Sequence, residues 1–148
     1  MPTSAKLVAA LWFAAVGWLA ANAHVPALGE NAQIGFFREI TAAIGLLCGW
    51  MVSGALAGRG GVEAVGTGLR TSVTLTFFAL LVFSVWQMVQ LAFRRTYNEA
   101  GPMGAVMGAF ELMIENAVAM LSVGVIGVLV LGGVVGGLVV EAAGRRWR

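Results

Sequence analysis

Four stretches of this chain are apolar on every side for roughly 18 to 23 residues, about the length a helix needs to cross the hydrocarbon of a bilayer. In hydrocarbon every backbone N–H and C=O must be satisfied within the protein, which leaves only helices and closed barrels as spanning structures. Barrel strands alternate apolar and polar residues over about ten positions. These runs do not alternate, so the predicted class is all-α. Composition agrees: of 148 residues, 59% are hydrophobic and 11% charged, with a mean hydropathy of +0.90. So little polar surface cannot cover a soluble domain.

The runs and their breakers define a single transmembrane domain. The first helix is expected over about residues 6–23, from Lys6 to the His24-Val25-Pro26 breaker. Lys6 with Ala21-Asn22-Ala23 also resembles a cleavable signal segment, but Trp12 and Trp18 are bulky interfacial anchors that favour a retained helix. The second helix is expected over 36–57, with Arg38 and Glu39 near the headgroups, where a charge costs much less than at the bilayer centre. Gly58-Arg59-Gly60-Gly61 ends it, and Val62 to Leu69 is read as a short connection. The third helix is expected over 70–93 and the last over 121–141.

Residues 103–119 are apolar but contain Glu111, Glu115 and Asn116. Gly104, Gly108, Glu111 and Glu115 fall on one helical face, and Met103, Met107, Phe110 and Ile114 on another. Two acids on one face suit an interfacial amphipathic helix better than a spanning one. With four crossings, Lys6, Arg59, Arg70, Arg145, Arg146 and Arg148 share one side, and Arg38, Arg94 and Arg95 the other. The positive-inside rule then places both termini in the cytoplasm. A fifth crossing by 103–119 would carry the Arg-rich tail outside.

The pI near 9.3 and net charge of +2 do not indicate a nucleic-acid partner, because the basic residues sit at the ends of apolar runs rather than in a patch. The implied surroundings are the lipid bilayer. Gly45 with Gly49, Gly54 with Gly58, Gly132 with Gly136, and Gly133 with Gly137 form GxxxG pairs, small faces on which helices approach closely. They serve either packing within the chain or an interface with a second copy or a larger membrane complex. Arg38, Glu39, Arg94, Arg95, Glu111 and Glu115, with Glu99, would gather at the outer face. Guanidinium forks suit oxyanions and clustered carboxylates suit hard cations; the plainer reading is a solvated belt of weak ion pairs.

No catalytic residue, metal site or cofactor is expected. His24 is the single histidine, which excludes a bis-histidine haem or a multi-histidine zinc site within one chain, and it is read as a helix-end polar group. Cys48 is the single cysteine and lies mid-run, as a small packing residue. Gly66-x-Gly68 belongs to no GxGxxG fingerprint, and phosphate-loop and nucleophile-elbow patterns are absent. Missing mid-membrane charge makes a proton-coupled transporter the weakest of the membrane functions.

Several segments together resemble the TrgA family, small bacterial inner-membrane proteins associated with tellurite resistance. They are Met1-Pro2-Thr3 with Ala5-Lys6-Leu7-Val8-Ala9-Ala10, Phe37-Arg38-Glu39-Ile40, Gly45-Leu46-Leu47-Cys48-Gly49-Trp50, Gly58-Arg59-Gly60, Gly68-Leu69-Arg70-Thr71, Gly101-Pro102-Met103, Leu131-Gly132-Gly133 and Arg145-Arg146-Trp147-Arg148. The family's tyrosine-acid-glycine-proline turn is longer here, as Tyr97-Asn98-Glu99-Ala100-Gly101-Pro102. The resemblance implies a non-enzymatic, multi-pass inner-membrane protein with a role in tolerating a toxic oxyanion; it assigns no residue a role. The competing expectation is an accessory subunit of a respiratory or photosynthetic assembly, packed through its glycine faces.

Overall fold

The computed structural model describes residues 4–28, 35–93 and 101–147, and these are helical, with no strand among the described residues. Helix α1 covers Ser4–His24 and runs into a single 3-10 turn at Val25–Leu28. Helix α2 covers Phe37–Leu56, α3 Gly61–Phe93, α4 Gly101–Met120 and α5 Val123–Arg146. All five are long and apolar enough to cross a membrane. Leucines, valines and phenylalanines line their outer faces, from Leu11 and Met51 to Phe77 and Leu131. Such an exterior is compatible with lipid as solvent.

The stretch Val62–Leu69, read from sequence as a connection, is instead the first two turns of α3. Glu63 and the glycines at 66 and 68 suggested a loop, but the small residues here are a packing face, and tertiary contact outweighs the low helix propensity of glycine. At 33 residues, α3 is about 50 Å long, well beyond a typical hydrocarbon core of about 30 Å.

Cross-helix contacts give the directions. Gly17 meets Thr41, Gly45 meets Phe13, Gly49 meets Ala9 and Gly54 meets Lys6, so α2 is antiparallel to α1. Ser53 bonds Thr71 while Gly45 lies near Leu75, so α3 is antiparallel to α2. Gly137 meets Ala64, Gly133 meets Gly68, and the Leu129 carbonyl accepts from Ser72, so α5 is antiparallel to α3. Gly124 lies near Ala23, Gly132 near Val16, Gly136 near Trp12 and Gly144 near Ala5, so α5 is also antiparallel to α1. The start of α1 and the finish of α5 therefore share one end of the bundle. At the other end α3 runs on well past the start of α5, and α4 connects the finish of α3 to that start. It rests mainly on the C-terminal part of α3, where Asn116 Nδ2 donates to Gln87 Oε1 at 2.8 Å.

Helix α2 is interrupted by a π-helical turn at Gly49–Ser53, marked by the Gly54 N–H donating to the Gly49 carbonyl five residues back. Its cause lies in the spacing of the glycines. Gly45 and Gly49 are four apart and face α1, but the next glycine, Gly54, is five further on. One wide turn absorbs the extra residue and keeps Gly54 on the same face. It also leaves Ser53 buried against α3, where its hydroxyl pairs with that of Thr71 at 2.7 Å.

Candidate functional site

Apart from Gly58, the glycine-face residues expected from sequence are turned inward, and each has a partner in this chain. Gly45 and Gly49 lie on the backbone carbonyls of Phe13 and Ala9 of α1, so close that a methyl group has no room. On α5 the two pairs serve two neighbours. Gly132 and Gly136 take the side chains of Val16 and Trp12, and the Trp12 indole N–H donates to the Gly132 carbonyl at 3.0 Å. Gly133 and Gly137 take the backbone of α3 at Gly68 and Ala64. Gly54 packs against the stem of Lys6.

Sequence spacing showed these pairs but not their counterparts. Ala64, Gly68 and Ser72 form a small-residue stripe at four-residue spacing on α3, and Ala9, Phe13 and Gly17 form the facing line on α1. The same spacing rule, applied to alanine and serine as well as glycine, finds the α3 stripe; on α1 it is broken by Phe13.

Gly58 has a different role from its GxxxG partner. With φ of 94° it lies in the left-handed region, as does Gly60 at 120°, a conformation open to glycine and strained for other residues. The turn they form presents both N–H groups to one carboxylate. Glu141, buried near the end of α5, accepts from Gly58 at 2.6 Å and Gly60 at 3.2 Å, and Arg145 Nε donates to it at 2.9 Å. The α2–α3 turn is thereby latched to the last helix. Removing the carboxylate strands two backbone donors and a guanidinium, a loss of about 2 kcal/mol or more for charge-assisted bonds. Glu141→Ala is expected to lower the melting temperature of the purified protein clearly, with Glu63→Ala, an exposed acid on α3, as the silent control; equal melting of the two would refute the latch.

Among the described members of the expected outer-face cluster, Arg38, Glu39, Glu111 and Glu115, no ion pair forms. Arg94, Arg95 and Glu99 lie outside the described residues. Arg38 is half-buried, and Glu39, Glu111 and Glu115 are exposed. The one ion pair among the described residues is Arg145 with Glu141, at the opposite end, and no group of three metal-ligating side chains is found among the described residues. Arg70 is also displaced from its expected position at a helix start. It stands between Gly68 and Ser72, beside the middle of α5, exposed and about 14 Å along α3 from Gly61. Helical side chains lean toward the N-terminus, so the long Arg70 side chain can reach toward the end that carries Lys6 and Arg145.

At the other end, where α3 overshoots the bundle, the helices enclose a cavity of about 850 Å³. Its walls are mostly apolar and aromatic, including Phe37, Leu75, Phe83 and Trp86. His24 opens onto it from the last turn of α1, and Gln87 and Asn116 from α3 and α4. No lysine, arginine, aspartate or glutamate lines it among the described residues.

His24 is 3% exposed, and its Nδ1 has no hydrogen-bond partner among the described residues. Phe37 stands over the ring with centroids 6.0 Å apart. A buried polar atom without a partner costs about 1–3 kcal/mol, and such groups in native proteins call for an explanation. The other such atom, Ser84 Oγ, sits in mid-helix, where a carbonyl four residues back is within a rotamer's reach. A histidine next to a proline looks like a helix-end group in sequence, and nothing local reveals that α3 and α2 close over it.

This apolar cavity with its buried histidine is the candidate site. Compared with known protein families, curated proteins and solved structures, the chain matches none. The function has to be argued from the geometry.

Proposed function

We propose that the chain is a bacterial inner-membrane protein of four crossings, α1, α2, α3 and α5, with both termini in the cytoplasm and α4 at the outer interface. It acts without catalysis, in tolerance of tellurite or of envelope stress. The observation that carries the topology is that α5 runs antiparallel to α1. An even number of crossings produces that direction; a fifth crossing by α4 would make the two parallel. Exposed Glu111 and Glu115 on α4 point the same way, since a carboxylate facing mid-bilayer lipid is costly on insertion scales. The end of the bundle that carries Lys6, Arg59, Arg145 and Arg146 then faces the cytoplasm by the positive-inside rule.

The resemblance to the TrgA family supports the tellurite reading. An oxyanion meets no counter-charge from the described residues of the cavity, so that role falls to Arg38, Arg94 and Arg95 at the outer end. Deleting the gene should lower the tellurite concentration that stops growth, and restoring the wild-type chain should recover it. An unchanged threshold in the deletion strain would sink this function.

A second reading, an accessory subunit of a larger membrane complex, is favoured by α4. Gly108 is its one buried residue, while Met107, Phe110, Ile114 and Val118 are each more than 60% exposed. With the glycine faces occupied inside the chain, α4 is the surface left for a partner. Purification in a mild detergent decides between the readings: a stoichiometric companion favours the subunit and a lone chain the independent protein.

A further inference from the structure

We propose that the cavity at the α3 overshoot binds a quinone-type molecule: planar, uncharged, lipid-soluble, with carbonyl oxygens on opposite edges of its ring. Among the described residues the lining carries no charge, which suits a neutral ligand, since an ion would meet no counter-charge from them in return for its lost hydration. Phe37, Phe83 and Trp86 offer flat faces for a ring, with Phe37 and Phe83 already in contact at 4.2 Å between centroids.

The polar groups sit on different elements. On α1, the buried Nδ1 of His24 has no partner among the described residues. A neutral imidazole can carry its hydrogen on that nitrogen and donate it to a carbonyl. On α3, the Gln87 carbonyl oxygen is taken by Asn116, which leaves the Gln87 amide N–H groups as donors. Donors from separate walls fit a ring with an acceptor at each edge. A sterol or fatty alcohol has one polar end and would leave one wall unmet; a phospholipid headgroup brings charge that the lining does not balance.

The volume of about 850 Å³ falls within the range of small-molecule sites, room for a ring and the first part of a tail. Ile40 and Trp86, both cavity-lining, are also exposed on the outer surface, so a tail can continue into surrounding lipid. The proposal rests on the reading of the chain as a membrane protein, which extraction from membranes checks separately.

The test is titration of the full-length protein in nanodiscs with decylubiquinone, read as quenching of tryptophan fluorescence, with Trp86 at the cavity as reporter. Saturable quenching is expected. His24→Leu should weaken apparent affinity about tenfold, the loss of one well-placed hydrogen bond to a buried group, and Ala79→Phe, which fills the cavity from α3, should abolish saturation. Decylbenzene, with the same tail and no ring oxygens, should not compete. Each variant is first checked for wild-type melting; Gln87→Leu, on another wall, takes the place of His24→Leu if the latter fails to fold. Non-saturating quenching, equal affinity in the variants, or equal competition by decylbenzene would overturn the proposal, the last showing a pocket for acyl chains alone.

Discussion

Gly68→Ala is expected to stop folded protein from accumulating, while Gly66→Ala, two residues earlier on the same helix, leaves it intact or slightly stabilised. The two glycines look alike in sequence. A methyl group at Gly68 would be driven into the Gly133 carbonyl of α5, with more of the α5 backbone close behind; at Gly66 nothing lies within 4 Å. The obstacle at Gly68 is backbone on a packed helix, so it cannot be relieved by a rotamer change. Separating α3 from α5 there also pulls Ser72 off the Leu129 carbonyl and Gly137 off Ala64. Overpacking costs about 1–3 kcal/mol where side chains can yield, and more is expected where two backbones must part. At Gly66 only the helix-propensity gain remains, about 0.5–1 kcal/mol. Membrane-fraction yield and melting temperature read both outcomes. Equal behaviour of the two variants would show that the α3–α5 seam is not close-packed.

The second large effect is all-or-none. In a Cys48→Ala background, single cysteines replacing Lys6, Glu111 and Arg146 are treated with a membrane-impermeant maleimide in intact cells and after permeabilisation. The cysteine at 111 should react from outside, and those at 6 and 146 only once the membrane is opened. Positions 6 and 146 must behave alike whatever the orientation, because the start of α1 and the finish of α5 lie together, with Ala5 and Gly144 in contact. Opposite behaviour at 6 and 146 would overturn the even number of crossings. Protection of 111 from outside would place α4 elsewhere than the outer interface.

These two experiments also mark how far the sequence could be read. The helices were legible because uniform apolar runs leave one kind of secondary structure in lipid. Their boundaries were less so: Val62 to Leu69 looked like a loop, since glycine disfavours helix, yet it is the glycine at 68 that lets α3 reach α5. The GxxxG pairs were visible, but not which helix each would meet, because the choice depends on side chains of α1 and α3 that carry no glycine signal of their own. Gly58 was grouped with Gly54 by spacing alone, and only the positive φ after the end of α2 separates a turn glycine from a face glycine. Glu141 read as a polar stop and proved to be a latch. His24 is the clearest case of a non-local property, since its burial depends on α3 running past the bundle, which no neighbour in sequence records.

The arrangement of α5 has a consequence for how the chain is made. This helix places Gly132 and Gly136 toward α1 and Gly133 and Gly137 toward α3, so it fills the groove between two helices synthesised long before it. Until α5 has been made, the groove between α1 and α3 is uncovered and the turn at Gly58 and Gly60 lacks its carboxylate. The other helices can therefore reach their final arrangement only after α5 joins them.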